Sequence, residues 1–174
     1  NLFIFLSLRD SAYFWYVVTT TGALLMILAM TGHGFQYLWP QGRVPFWLDR
    51  ISIPALWGFS ACRFTQTLLQ TRQFVPWAHR LLTLALMLYA TAVLLNAFGW
   101  RAFGAWVFVA LALTAIPASL WASFRRWRQG YFPALLYLLG FGVILGSVNL
   151  LLLRATGVVQ PAAWNAYLFP LAVT

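Results

Sequence analysis

Apolar residues occur in long runs, and the runs are of one size. Five of them, residues 13–39, 51–70, 78–98, 103–124 and 133–153, each supply the roughly 20 mostly apolar positions a helix needs to cross a hydrocarbon core. Their ends carry Trp and Tyr, the residues that settle at headgroup level: Tyr13, Trp15, Tyr16, Tyr37, Trp39, Trp77, Trp100, Trp127, Tyr131 and Trp164. Two further apolar stretches, residues 1–8 and 164–174, reach only about 12 and 16 Å as helix and read as severed ends of spans. The pattern predicts an all-α fold. It is an integral membrane helical bundle with five complete transmembrane helices plus two partial ones of a seven-helix bundle. Residues 1–174 form a single transmembrane domain, expected to be a fragment of a larger protein.

The predicted connections, residues 9–12, 40–50, 71–77, 99–101, 125–132 and 154–163, are short and punctuated by Pro40, Gly42, Pro45, Pro76, Gly99, Gly130 and Pro161. Sequential helices are therefore antiparallel neighbours. No internal repeat stands out. Arginines gather on one side of the predicted bundle: Arg9, Arg72, Arg80, Arg125, Arg126 and Arg128 against Arg43, Arg50, Arg101 and Arg154 on the other. The positive-inside bias places the first group in the cytoplasm. Residues before Asn1 are then expected outside, and residues after Thr174 in the cytoplasm.

Composition agrees. The chain is 63% hydrophobic and 7% charged with mean hydropathy +0.80, whereas a soluble domain is about half apolar and a quarter charged. The net charge of +9 comes from eleven arginines, with no Lys, no Glu, and only Asp10 and Asp49 as acids. Arginines scattered between apolar runs fit membrane-surface loops and not nucleic acid, for which no binding is expected. The one cysteine, Cys62, lies in an apolar run and reads as a small packing residue. Without Lys there is no Schiff base to form. With both acids at span ends no carboxylate sits at mid-membrane for a proton relay. His33 and His79 fall at opposite depths, which excludes a shared haem. No nucleophile–base set is present. The expectation is no catalytic residue, no metal and no cofactor in this chain.

Several residues remain that can carry function. Arg63 sits about 10 Å inside its span. It either snorkels to the headgroups or pairs with Asp10, the one acid on its side, as a breakable switch contact. His33, Gln36, Asn96 and Asn149 are predicted at similar depth in the outer half. They either bind one another between helices or line a small-molecule pocket open to the outer face. Gly142 and Gly146 on one helix, and Ala110, Thr114 and Ala118 on another, are small-residue stripes expected to serve helix packing. Pro117 and Pro170 are expected to kink their helices.

The run Asn1-Leu-Phe-Ile-Phe-Leu-Ser-Leu-Arg-Asp-Ser-Ala-Tyr13, the segment Gly34-Phe-Gln-Tyr-Leu-Trp-Pro40, and the Arg-containing helix followed by Pro76-Trp77 and a basic residue form one set. It resembles the bacterial seven-transmembrane receptors with diverse intracellular signalling modules, across essentially the whole chain. The resemblance implies a multi-pass protein of the bacterial inner membrane. It also implies an extracytoplasmic sensor domain before the bundle, and a cytoplasmic output domain after it, a histidine kinase or a diguanylate cyclase. Homodimerisation is expected with such an output. The expected partners are those two domains of the same polypeptide and the membrane lipids. The leading expectation is a sensor that relays an extracytoplasmic ligand signal across the membrane. The alternatives are a permease for a neutral solute using the same outer polar set, and an integral-membrane enzyme acting on lipids.

Overall fold

The computed structural model describes residues 11–31 and 52–155. They form helices α1 (Ser11–Thr31), α2 (Ser52–Leu68), α3 (Thr71–Phe74), α4 (Pro76–Ala97), α5 (Arg101–Arg128) and α6 (Phe132–Ala155), with no strand among the described residues. Four helices carry stretches long and apolar enough to cross a membrane: Ser11–Leu28, Pro76–Ala97, Ala102–Arg128 and Phe132–Leu150. The remainder of the predicted first full span, and both predicted partial spans, lie outside the described residues.

Helix α2 ends two residues before the predicted span does, at Leu68. It stops because Gln70 adopts a left-handed conformation (φ 49°), which breaks the hydrogen-bond ladder. The predicted loop 71–77 then contains the single turn α3, and Pro76 opens α4 at a position where its missing N–H costs nothing. Helix α5 departs in the other direction. Its 28 residues carry Arg125, Arg126 and Arg128 in the last turn, where cations offset the exposed carbonyls and the negative end of the dipole. The predicted loop 125–132 shrinks to residues 129–131. Gly99 and Gly130 take positive φ (86° and 85°) just past the ends of α4 and α5, the left-handed step that closes each helix. Helix α5 continues through Pro117, which is exposed.

Helix α2 packs against α1 on one flank and α4 on the other, and α5 lies between α4 and α6. One apolar cluster joins α1, α2, α5 and α6 through Ala23, Met26, Trp57, Phe64, Ile116, Tyr137 and Leu145. A second joins α2, α4 and α5 through Ala55, Cys62, Leu82, Tyr89, Leu111 and Ala115. Cys62 is thus a buried packing residue. Surfaces turned away from these clusters stay apolar, with Leu84, Met87, Leu94, Trp106, Leu139 and Val143 exposed, as a lipid-facing surface requires.

The small-residue stripe expected at Ala110, Thr114 and Ala118 is displaced. Ala110 and Thr114 are exposed and only Ala118 is buried. Most small buried positions of α5 fall elsewhere, at Ala112, Ala115, Ser119, Ala122 and Ser123. A side chain at Gly142 would make ordinary contacts with Leu120 and Leu138, and one at Gly146 would meet nothing within 4 Å. No close approach among the described residues needs a glycine at either position. The close approach is at Gly58, where an added Cβ would lie 2.6 Å from the Tyr89 ring. Gly58 is what lets α2 and α4 meet around that ring.

Candidate functional site

The polar groups of the bundle collect at its two ends, and α2 reaches from one to the other. At the end where α2 begins, Asn96 of α4 donates from Nδ2 to Ser52 Oγ at 2.8 Å. Asn149 of α6 is half-buried at the same end, and its Nδ2 has no partner among the described residues. The indole Nε1 of Trp57, one turn into α2, is likewise buried without a partner among them. A buried donor left unpaired costs about 1–3 kcal/mol, so an acceptor brought to either group gains that much. Asn96 and Asn149 therefore share an end of the bundle but are not partners of each other. His33 and Gln36 lie outside the described residues.

At the opposite end the polar groups form chains. Gln66 of α2 donates from Nε2 to Thr83 Oγ1 (2.9 Å) and to the His79 carbonyl (3.3 Å), both on α4. Thr71 Oγ1 and His79 Nδ1 lie 3.1 Å apart. Arg63 is exposed; one guanidinium nitrogen is 3.5 Å from Gln66 Oε1, and its carbon stands 5.9 Å from the centroid of the Trp15 ring. Its expected partner Asp10 lies outside the described residues. Deeper in the bundle, Thr65 Oγ1 and the Tyr137 hydroxyl are 2.6 Å apart and tie α2 to α6 in the apolar interior.

The tightest assembly at this end is built on Arg126, which is only 5% exposed. Its Nε donates to the Leu69 carbonyl at 3.1 Å and a terminal nitrogen to Gln129 Oε1 at 3.3 Å. Its guanidinium carbon lies 3.6 Å from the Phe74 ring centroid and 4.4 Å from that of Tyr131. The Tyr131 hydroxyl donates to the Leu68 carbonyl at 3.1 Å. Two side chains from the α5–α6 junction thus cap carbonyls at the C-terminal end of α2, groups left without helical donors. A guanidinium suits this place because it is planar, weakly hydrated and stacks on rings. No acid occurs among the described residues, so rings and carbonyls take the part a carboxylate would.

Sequence reasoning places Arg126 and Tyr131 only at a membrane surface, and it does not single out Gln66 or the Thr65–Tyr137 pair. A signal for Arg126 existed. Residues 115, 119, 122 and 126 follow the four-three-four spacing of one helix face, and the first three are buried small residues.

Among the described residues, this arrangement joins polar groups of neighbouring helices and brings no nucleophile and base together. It holds a central helix tied to its neighbours by hydrogen bonds at its first residue and in its last turn, with donors that lack a described partner near one end and a latch at the other. A family model described as "7TM diverse intracellular signalling" matches residues 1–174. The comparison with curated proteins gave no match, and the comparison with solved structures gave none. Matched along its whole length and built of apolar, membrane-length helices, the chain belongs to the seven-transmembrane diverse intracellular signalling family, a multi-pass membrane sensor and signalling module.

Proposed function

We propose that this chain is the membrane relay of a larger receptor in a bacterial inner membrane. A ligand, or a ligand-occupied extracytoplasmic domain of the same polypeptide, favours one packing of the bundle. The shift reaches the arginine-rich cytoplasmic end and changes the activity of an output domain, a histidine kinase or a diguanylate cyclase, working as a homodimer. The observation that carries this reading is the family match over residues 1–174. The geometry supports it: α2 joins Ser52 and Trp57 at one end to Leu68 and Leu69 at the other. A ligand displaces such an equilibrium only by its difference in affinity for the two packings. The unpaired Trp57 and Asn149 donors offer that difference, since an acceptor reaching them in one packing gains a bond it lacks in the other. His33, Gln36 and Asn96 complete the candidate pocket.

The test is the full-length protein in proteoliposomes, with output activity measured with and without stimulus. Asn149→Leu should weaken the stimulated response and leave basal output near wild type. Arg126→Lys should shift basal output. Unchanged basal and stimulated output in both variants would reject the relay.

A further inference from the structure

Along the flank where α1 meets α2 runs an open groove of about 540 Å³. Its walls are almost wholly apolar: Phe14, Val18 and Leu25 on α1, and Ile53, Leu56 and Phe59 on α2. From Phe14 to Leu25 it extends eleven residues, about 16 Å of helix. That is one leaflet of a core about 30 Å thick. The volume lies in the range of small-molecule sites, about 300–1,000 Å³.

At the foot of this groove stands a cation. Arg63 follows Leu56, Phe59 and Ser60 by seven, four and three residues, so all four share one face of α2. Its guanidinium stands over Trp15, itself a groove residue. Its one polar partner among the described residues is Gln66 Oε1, at 3.5 Å, which leaves most of its donors unused. With no acid among the described residues, the charge calls for an anion from elsewhere. The guanidinium sits at the arginine-rich end, and the apolar groove runs from it toward mid-membrane. Contrast Arg126, which is buried, donates to Leu69 and Gln129, and lies against the Phe74 and Tyr131 rings.

We propose that the α1–α2 groove binds one anionic phospholipid of the bilayer, its phosphate held by Arg63 and one acyl chain lying between Phe14 and Leu25. Guanidinium and phosphate match in charge and in forked geometry. A zwitterionic lipid offers the same chain but carries an ammonium that offsets the attraction. The site belongs to the leaflet on the arginine-rich side, and occupancy bridges α1 to α2 at the flank opposite α4.

The test uses the full-length protein in detergent micelles doped equally with phosphatidylglycerol and phosphatidylcholine, with retained lipid read by native mass spectrometry. The wild type should keep one phosphatidylglycerol in preference to phosphatidylcholine. Arg63→Gln should lower retention about fivefold, the size of one arginine–headgroup attraction, and Arg63→Lys should keep most of it. Thr21→Trp, which fills the groove from an exposed position and leaves the cation in place, should abolish it. The double variant Arg72→Gln/Arg128→Gln should match the wild type. Equal retention of the two lipids, or none of either in the wild type, overturns the proposal, as does unchanged retention in Arg63→Gln or in Thr21→Trp. A loss in the Arg72/Arg128 variant equal to that of Arg63→Gln would show diffuse attraction and also overturn it. Retention that appears only in Asp10→Asn would assign Arg63 to Asp10 instead.

Discussion

Replacing Arg126 by Ala removes every contact that ties the α5–α6 junction to the end of α2 through this side chain. The Nε bond to the Leu69 carbonyl is charge-assisted and buried, worth about 1.5–3 kcal/mol. The two ring faces at 3.6 and 4.4 Å add about 0.5–1 kcal/mol each, more where water is excluded. Part of this is returned, because an Ala variant no longer holds a cation out of water. A net loss of about 2–3 kcal/mol is expected. Arg126→Lys should recover less than half, since an ammonium cannot donate along the Nε direction and stack on two rings together. Tyr131→Phe keeps the ring and loses only the bond to Leu68, about 1 kcal/mol. The assay is reversible unfolding in mixed micelles, followed by tryptophan fluorescence. Amide hydrogen exchange provides a local reading, and the loss of protection should centre on residues 66–74. Full rescue by Lys, or an Ala variant within about 0.5 kcal/mol of wild type, the size of an ordinary surface change, would refute the reasoning.

Further outcomes follow from the same structure. Gly58→Ala should destabilise by about 1–3 kcal/mol, because the new methyl would lie 2.6 Å from the Tyr89 ring. The double variant Gly58→Ala/Tyr89→Leu should cost less than the sum of the two single changes, and additivity in the unfolding assay would contradict that contact. Tyr137→Phe leaves Thr65 without its partner across the bundle; a loss of about 1 kcal/mol is expected in the same assay, and no change would count against the bond. Asn96→Leu should destabilise more than Asn149→Leu, since Asn96 bonds to Ser52 while the Nδ2 of Asn149 bonds to no described residue. The reverse order would mean that the Asn149 amide has a partner in the folded chain.

Hydropathy suffices to locate these helices because a lipid-facing surface is apolar on every side. It fixes their ends less well. The stop at Gln70 carries no Gly or Pro signal, yet its backbone is left-handed where α2 turns into α3. The extension of α5 through Arg125–Arg128 was hidden by charge: an arginine cluster reads as a solvated loop, yet one of its members completes the buried face begun by Ala115, Ser119 and Ala122. The small-residue stripe was misplaced for a related reason. Residues 110, 114 and 118 satisfy helical spacing as well as residues 112, 115 and 119 do, and only the neighbouring helices decide which face is covered. For the candidate site, pairing was not legible, and His33 and Gln36 of the predicted set lie outside the described residues. Asn96 and Asn149 do share an end, but the partner of Asn96 is Ser52, a residue that helical spacing alone does not distinguish.

The direction of the relay rests on which end of the bundle faces the cytoplasm, and thiol labelling in intact cells reads it directly. Cysteines placed singly at Phe98 and Gln129, both exposed and at opposite ends of the bundle, in a Cys62→Ala background, would be challenged with a membrane-impermeant reagent. Position 98 should react in intact cells and position 129 only after permeabilisation. The opposite pattern would contradict that orientation, and equal reaction of both in intact cells would show that these helices do not cross the membrane.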